Sequence, residues 1–253
     1  MKKSSIKSSK LSIAAKTIII IIWIILSKAI DNEVIFPGIR STIMEMFKIM
    51  KSTGFILIIK STIFRSLIGF LISLILAILM GILASISDFI YYLMKPILNF
   101  LSSVPTMAII ILALIWLNNE IVPMFVGFIM VFPILYETVL NGILNIDKNI
   151  IEMAKVYKVN KTTIIKDIYI PSIFYNLSTV FTSALGTNLK MVIAGEVLSQ
   201  PRYAVGSNLQ LQKTYLNTAG VFAWIIIILL ISKIFKYLMK KLDDVLKLNE
   251  WKC

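Results

Sequence analysis

The sequence predicts an all-α membrane protein with about six transmembrane helices, and three observations lead to that fold class. Hydrophobic residues make up 58% of the 253 residues and mean hydropathy is +0.88, whereas soluble domains hold roughly 45–50% apolar residues. Apolar runs long enough to cross a bilayer recur along the chain. A charged segment, residues 147–171, interrupts them and must lie outside the membrane. We expect a single transmembrane domain over residues 1–253, because no stretch remains that could build a separate soluble core.

The composition also excludes several classes of function. The formal net charge is +13, but basic residues in a membrane protein report its orientation, so nucleic acid is not expected as a partner. The chain has one cysteine, Cys253, and no histidine. That composition rules out an internal disulfide, a Cys/His metal site and histidine-based catalysis. We therefore expect no metal and no cofactor.

The N-terminus is basic and leads into the first apolar run. Residues 1–16 hold five lysines and no acidic residue, and residues 17–26 are apolar. This arrangement predicts a basic cytoplasmic tail followed by a first spanning helix. The alternative is a secretory signal peptide cleaved near Ser27 and Ala29, although the charged Lys28 lies inside that cleavage site.

The second apolar block follows a mixed segment. Residues 35–53 predict an interfacial helix. Residues 66–87 are long enough to span, which lets Arg65 sit at the interface and extend its charge into water. Small residues recur every fourth position in this span and would let another helix approach closely, unless they are incidental. They are Gly69, Ser73, Ala77 and Gly81.

The third and fourth spans form the next pair. Residues 88–95 predict a short polar turn, and residues 96–117 a third span that Pro105 breaks. Residues 118–120 form the opposite turn. Residues 121–141 then predict the fourth span.

Residues 147–171 predict two short amphipathic helices. Asp147 can cap the first helix and Asn160 the second, and Pro171 would turn the chain into the next span. One face of such a hairpin would meet the membrane domain and the other would meet something in water. An ordinary solvated loop helix is the alternative. The apolar face of the first helix holds Ile150, Ile151, Ala154 and Tyr157.

The fifth span, residues 172–198, is unusually polar, and a sixth begins at residue 220. Polar residues three or four positions apart share one face of the fifth span. Such a stripe is costly in a membrane unless it faces a bundle interior or a pathway, and interhelical hydrogen bonding is the alternative role. The stripe consists of Asn176, Thr179, Ser183, Thr187 and Lys190.

Six spans starting from a cytoplasmic N-terminus place both termini and residues 147–171 on the same side. That side then holds 17 of the 26 basic residues. Cytoplasmic loops retain Lys and Arg, so the charge distribution favours this orientation in a plasma membrane.

Placed in the cytoplasm just before the fifth span, residues 147–171 resemble the EAA loop of the permease subunit of bacterial ATP-binding-cassette (ABC) importers, in particular the nitrate, sulfonate and taurine type. That loop has Glu-Ala-Ala, then a glycine, then a hydrophobic-Pro ending. The matching residues here are Glu152, Met153, Ala154, Lys158 (in place of the glycine), Ile170 and Pro171. Weaker similarities to the family lie in FPG at 36–38, STIFRSLIGF at 61–70, SVPTMAIIILALIWL at 103–117, FPILYETVLNG at 132–142 and Glu196.

The resemblance implies a function and a set of partners. Residues 147–171 would dock as a coupling helix on a separate ABC ATPase dimer. The permease would be a homodimer surrounded by the lipid of the inner membrane. It would receive a small solute from an extracytoplasmic solute-binding protein and move it inward. The sequence has no G-x-x-x-x-G-K-[ST] motif, which agrees with ATP hydrolysis by another subunit. The polar stripe of the fifth span would then line the pathway.

The substrate and three other functions stay open at this point. Lys190, with Arg65 and Lys60, would suit an anion such as a sulfonate or nitrate. The transmembrane component of an energy-coupling-factor vitamin transporter is one alternative, but no Ala-Arg-Gly triplet occurs in the sequence. A membrane-embedded enzyme is another, but only Glu137, Glu196 and Lys190 are ionisable in the later spans. A channel is the third.

Overall fold

The structure is a computed structural model that describes residues 2–250, with side chains described for residues 14, 15, 17–235 and 237. The five lysines of the predicted N-terminal tail lie outside the residues whose side chains are described. Only their backbone, which is part of α1, belongs to the described structure. The described residues form helices joined by short connections, and no strand occurs among them. Its helices are α1 (Lys2–Ile30), α2 (Ile39–Lys51), α3 (Phe55–Ile86), α4 (Asp88–Ser103), α5 (Thr106–Trp116), α6 (Val122–Leu144), α7 (Lys148–Val156), α8 (Lys161–Ile164), a π turn (Ile165–Tyr169), α9 (Ile170–Ser199), α10 (Val205–Thr214) and α11 (Thr218–Glu250).

Three helices of the described chain are long and apolar enough to cross a membrane. They are Phe55–Ile86, Val122–Leu144 and Thr218–Phe235, and α4 with α5 would add a fourth if that bent pair is one span. The apolar segment Thr17–Ile30 is shorter. The helix α9 has 30 residues and is long enough to span, but its polar stripe lowers its hydropathy. The helical fold class is confirmed, and six spans stay a prediction.

The region of the predicted third span differs from the prediction. Residues 88–95, predicted as a polar turn, form the first half of α4. The predicted break at Pro105 is confirmed: α4 and α5 meet there at an angle of 103°. Because Pro105 has no amide hydrogen and restricts the residue before it to extended backbone, Val104 leaves the helix with ψ of 131°. The apolar run 96–117 is therefore two helices rather than one straight span.

The described chain divides into two compact units. The first comprises the chain up to Ile56 together with Asn208–Leu230. Within it, the indole of Trp23 packs against Phe36 and Phe222, with ring centroids 6.4 and 5.5 Å away. The indole N–H donates to the carbonyl of Pro37 at 2.9 Å. This aromatic cluster holds the FPG segment against α1.

The second unit comprises Leu57–Ser207 and the chain from Ile231 onward, and its centre is the antiparallel pair α6 and α9. Buried Val131, Leu135 and Val139 of α6 and Leu185 and Leu189 of α9 belong to one apolar core. Glycines bring the two helices together, because a Cβ on Gly195 would lie 2.9 Å from the Cα of Pro123. A side chain at that position would push α9 away from α6.

The small-residue stripe on α3 faces this core, as predicted. Gly69, Ser73, Ala77 and Gly81 are all buried. A Cβ on Gly69 would lie 2.6 Å from the carbonyl oxygen of Met124, and one on Gly81 would lie 2.7 Å from Val139. The stripe therefore allows α3 to contact the backbone and side chains of α6 directly.

Candidate functional site

The first helix of residues 147–171 begins where the sequence predicts. The Asp147 carboxylate accepts a hydrogen bond from the amide of Asn149 at 2.9 Å, which caps α7. Its predicted apolar face is only partly covered: Ala154 is buried and Ile151 half-buried, but Ile150 and Tyr157 are exposed. Further apolar side chains, Met153 and Val156, are 56% and 78% exposed. Exposed apolar side chains grouped in this way are typical of a surface that takes part in an interaction.

Lys158 ends α7 in a left-handed conformation with φ of 53°. Its amide donates to the carbonyl of Lys155 at 3.0 Å, and the amide of Val159 donates to the carbonyl of Ala154 at 2.9 Å. These two bonds form a Schellman motif, in which the left-handed position is usually glycine. The lysine at the resembled family's glycine position therefore adopts the backbone that glycine favours, at a cost of roughly 1–2 kcal/mol.

The second half of the segment corrects the predicted turn at Pro171. Asn160 precedes α8, but its side chain makes no capping hydrogen bond. The chain then continues through the π turn into α9, where Pro171 occupies the first turn. Proline is tolerated there because the widened turn before it does not need its amide. The hairpin therefore bends once, at residues 157–160, and its second arm is continuous with α9.

The base of the hairpin is fastened to the second unit. The Ser172 hydroxyl donates to the carbonyl of Gly142 at 2.6 Å, so it joins the start of α9 to the end of α6. A Cβ on Gly142 would lie 3.3 Å from Asn176, which shows how closely the two helices approach. A displacement of the hairpin would therefore act on both helices together.

The polar stripe of α9 faces away from the core of the second unit. Thr179, Ser183 and Lys190 are exposed, and Asn176 and Thr187 are half-buried. The hydroxyls of Thr179 and Ser183 donate to carbonyls of their own helix, at 2.7 and 2.8 Å. Asn176, at one end of the stripe, lies close to Gly142 of α6, and the role of the stripe in transport stays a prediction.

A buried ionic cluster lies at the other ends of α6 and α9, and it corrects the placement predicted for Arg65. That side chain does not extend into water: it is 7% exposed, and its guanidinium contacts the carboxylates of Glu196 at 3.1 Å and of Glu120. Glu196 is fully buried and also accepts from the Thr62 hydroxyl at 2.9 Å. Arg65 is therefore not free to bind an anionic solute together with Lys190 and Lys60.

Sequence reasoning missed this pairing because Arg65 and Glu196 are 131 positions apart. One signal was present: a charged residue in an apolar run is costly unless an opposite charge neutralises it. Glu120 lies in the loop between α5 and α6. Partial burial raises its pKa, but the hydrogen bond from Arg65, the Arg202 amide and the Arg65 charge together hold that pKa below its usual value.

Comparison with known proteins identifies relatives over most of the chain. The profile of the family described as "Binding-protein-dependent transport system inner membrane component" matches residues 69–247. A protein of Bacillus subtilis (strain 168), named as an aliphatic sulfonates transport permease, is 24% identical over 238 residues, covering 93% of this chain and 85% of its own length. A protein of Methanocaldococcus jannaschii, named as an ABC transporter permease, is 26% identical over 250 residues, covering 96% and 92%. One of Brucella melitensis with a similar name is 22% identical, covering 90% and 92%.

Proposed function

Because the chain belongs to the family of binding-protein-dependent transport system inner membrane components, we propose that it is the permease of an ATP-driven importer for a small anionic solute of the sulfonate class. The observation that carries the proposal is the hairpin. It presents exposed apolar side chains outside the apolar helices, and Ser172 fastens it to α6 and α9. An element that couples an ATPase to a transmembrane domain needs both properties: a surface on which the ATPase docks and a firm connection to the helices that move.

In this proposal the hairpin docks on a separate ABC ATPase. The residues in contact or shaping the contact are Glu152, Met153, Ala154, Lys158, Ile170 and Pro171. Their exposure differs: Glu152 and Met153 are exposed and would touch the ATPase, whereas Ala154 is buried and would shape the contact indirectly. Lys158 sets the bend between the two arms.

The exposed polar stripe supports a homodimer with a shared pathway. Facing lipid, Thr179, Ser183 and Lys190 would be costly, because a lysine near the centre of a bilayer is unfavourable by several kcal/mol. A second copy of the chain, with water between the two stripes, would remove that cost. The stripe would then line the solute pathway, with a solute-binding protein delivering to its extracytoplasmic end.

The anionic substrate rests on Lys190 and on one relative. Arg65 is neutralised by carboxylates, which leaves Lys190 as the exposed cation on the described stripe. One relative at 24% identity is named for aliphatic sulfonates. A sulfonate carries a single negative charge that one lysine can balance.

Docking is tested by replacing exposed apolar residues of α7. We expect Met153→Gln and Val156→Gln each to reduce co-purification of the cognate ATPase by at least about tenfold, because anchor residues of an interface contribute on the order of 2 kcal/mol, which is about thirtyfold in affinity. Met107→Gln is the matched control, since Met107 on α5 is 60% exposed but lies outside the hairpin. ATPase recovery that is unchanged in both variants would rule out the hairpin as the dock.

Substrate class is tested by uptake of labelled ethanesulfonate into cells that express the complete transporter. Lys190→Gln should reduce uptake strongly, and Lys190→Arg should retain most of it, because the positive charge is kept. Equal uptake by Lys190→Gln and the unmodified chain would contradict the assignment of Lys190 to an anionic solute. The ATPase co-purification would still stand in that case.

A further inference from the structure

The backbone of residues 202–206 donates hydrogen bonds to, or accepts them from, side chains of three parts of the chain: α3, the loop before α6 and the end of α9. The Arg202 amide donates to Glu120 at 3.1 Å, and the Tyr203 carbonyl accepts from Arg65 at 2.8 Å. The Val205 amide donates to the Thr62 hydroxyl at 3.1 Å, and the Gly206 amide donates to Glu196 at 3.1 Å. The four side chains that make these bonds, Thr62, Arg65, Glu120 and Glu196, are called the polar clasp below.

Three members of the polar clasp, Thr62, Arg65 and Glu196, are buried and bond one another, and Glu120 joins them from the surface. Thr62 and Glu196 are 2% and 0% exposed. The Thr62 hydroxyl accepts from the Val205 amide while it donates to Glu196, so one hydroxyl joins the segment to the carboxylate. A Cβ on Gly206 would lie 2.5 Å from the carbonyl oxygen of Ile193, so the segment rests directly on the backbone of α9.

The polar clasp and the hairpin lie at opposite ends of the same two helices. Glu120 precedes α6 and the hairpin follows it; the hairpin precedes α9 and Glu196 lies in its last turn. The 23 residues of α6 extend about 35 Å at 1.5 Å per residue. Between the two ends, Asn188 of α9 donates to the carbonyl of Ser66 at 2.6 Å, so α3 is tied to α9 there as well.

We propose that Arg65, Glu196, Thr62 and Glu120 are positioning residues for transport: the polar clasp makes the loops 118–121 and 200–206 move as one body with α3, α6 and α9. A displacement of the hairpin then moves these two loops, at the opposite ends of α6 and α9, by a similar amount. The inference rests on the proposed function, since it needs a motor at the hairpin. It assigns a task to residues that neither dock the ATPase nor line the polar stripe.

The chemistry of the cluster fits positioning better than stabilisation. A buried ion pair contributes little net stability, because the desolvation of both charges offsets their attraction. It does fix geometry: the planar guanidinium of Arg65 bonds in defined directions to two carboxylates and one carbonyl. Three elements of the chain are thereby held at one set of relative positions.

The test compares nucleotide-driven movement at the two ends of α6. Two reporters are made on a Cys253→Ser background: Asn145→Cys beside the hairpin and Asn119→Cys beside the clasp, both at exposed positions. The complete transporter in nanodiscs is labelled with a maleimide, with and without ATP and vanadate. In the otherwise unmodified chain, we expect nucleotide to change the labelling rate at both positions by about fivefold or more.

In variants of the polar clasp, the nucleotide-dependent change in labelling rate should differ between the two reporters. With Glu196→Gln or Thr62→Val, we expect the change at Asn145→Cys to remain and the change at Asn119→Cys to fall below about twofold. Glu120→Gln, which removes only the half-exposed contact, should give an intermediate loss. Glu137→Gln is the matched control, because Glu137 is an exposed carboxylate of α6 outside the polar clasp.

Two results are decisive against the proposals. If the nucleotide-dependent change at Asn119→Cys persists in Glu196→Gln and in Thr62→Val, the polar clasp is not a positioning device. Should Glu196→Gln fail to fold, Thr62→Val and Glu120→Gln decide the question alone. If nucleotide changes neither reporter in the otherwise unmodified chain, the proposed coupling through the hairpin is wrong instead.

Discussion

At the scale of single residues, the backbone of Lys158 sets the angle between the two arms of the hairpin. Its φ of 53° lies in the left-handed region, where side chains other than glycine are strained. Lysine carries that strain because its amide and that of Val159 complete the Schellman motif. The resembled EAA loop has glycine at this position, so the sequence alone suggests a left-handed backbone there. The two hydrogen bonds that stabilise this backbone are seen only in the structure.

We expect Lys158→Gly to preserve the hairpin and Lys158→Val to loosen it by about 1–2 kcal/mol relative to the glycine variant, since a β-branched residue is poorly tolerated at positive φ. Hydrogen exchange of the amides of α7 in nanodiscs measures the difference. Lys155→Val is the control, because Lys155 lies in the regular helix. Equal exchange in Lys158→Val and Lys158→Gly would show that the position is not held in the left-handed region.

Glu120 gives the ionic cluster a defined dependence on pH. Although partial burial raises it, its folded pKa lies below the ordinary value of a glutamate, because of the hydrogen bonds from Arg65 and the Arg202 amide and the charge of Arg65. Its contribution to stability is therefore full above that value and is lost as pH falls through the lower folded pKa. The thermal midpoint of Glu120→Gln should differ most from that of the unmodified chain near neutral pH, and the gap should close as the pH falls through the lowered pKa of Glu120. A gap that widens on acidification would refute the pairing with Arg65; Glu137→Gln is the control.

At the scale of elements, sequence reasoning succeeded where local chemistry decides the structure. Asp147 caps α7 and Pro105 breaks a helix because each acts on its immediate neighbours. It failed at residues 88–95, because a polar composition does not distinguish a turn from an amphipathic helix. It also failed at Arg65, whose buried environment is supplied by residues far away in the sequence.

The contact between α3 and α6 yields a prediction for one glycine. We expect Gly69→Ala to lower stability by about 1–3 kcal/mol, because its Cβ would lie 2.6 Å from the backbone of Met124, which cannot rotate away. Thermal unfolding in detergent measures the loss. Gly38→Ala is the comparison, since a Cβ there would lie at an ordinary 3.5 Å from Ser41. Similar losses for both substitutions would contradict close packing at Gly69.

At the scale of the whole molecule, the orientation in the membrane is a prediction from the number of spans and the distribution of charge. Six spans with the hairpin in the cytoplasm place the C-terminus in the cytoplasm, as the 17 basic residues on that side favour. The single cysteine, Cys253, reports on this directly. This orientation requires α9 to cross the membrane and the bent pair α4 and α5 to form one span.

We expect Cys253 to resist a membrane-impermeant maleimide in intact cells and to react after permeabilisation. On a Cys253→Ser background, Asn119→Cys should react in intact cells and Asn145→Cys should not, since α6 lies between the two positions. Labelling of Cys253 in intact cells would overturn the predicted orientation. Labelling of Asn119→Cys and Asn145→Cys from the same side would show that α6 does not span.

The π turn at Ile165–Tyr169 has a consequence for how this chain tolerates change in length. A π turn holds one more residue than an α turn, so it corresponds to a single-residue insertion accommodated inside a continuous helix. Removal of one residue there would restore regular α-helix and rotate α8 by about 100° relative to α9. The number of residues in the π turn thus sets the rotation of α7 and α8 about the axis of α9, relative to the polar stripe. Deletion of one residue there would change that rotation and leave the side chains of α7 and of the polar stripe unaltered.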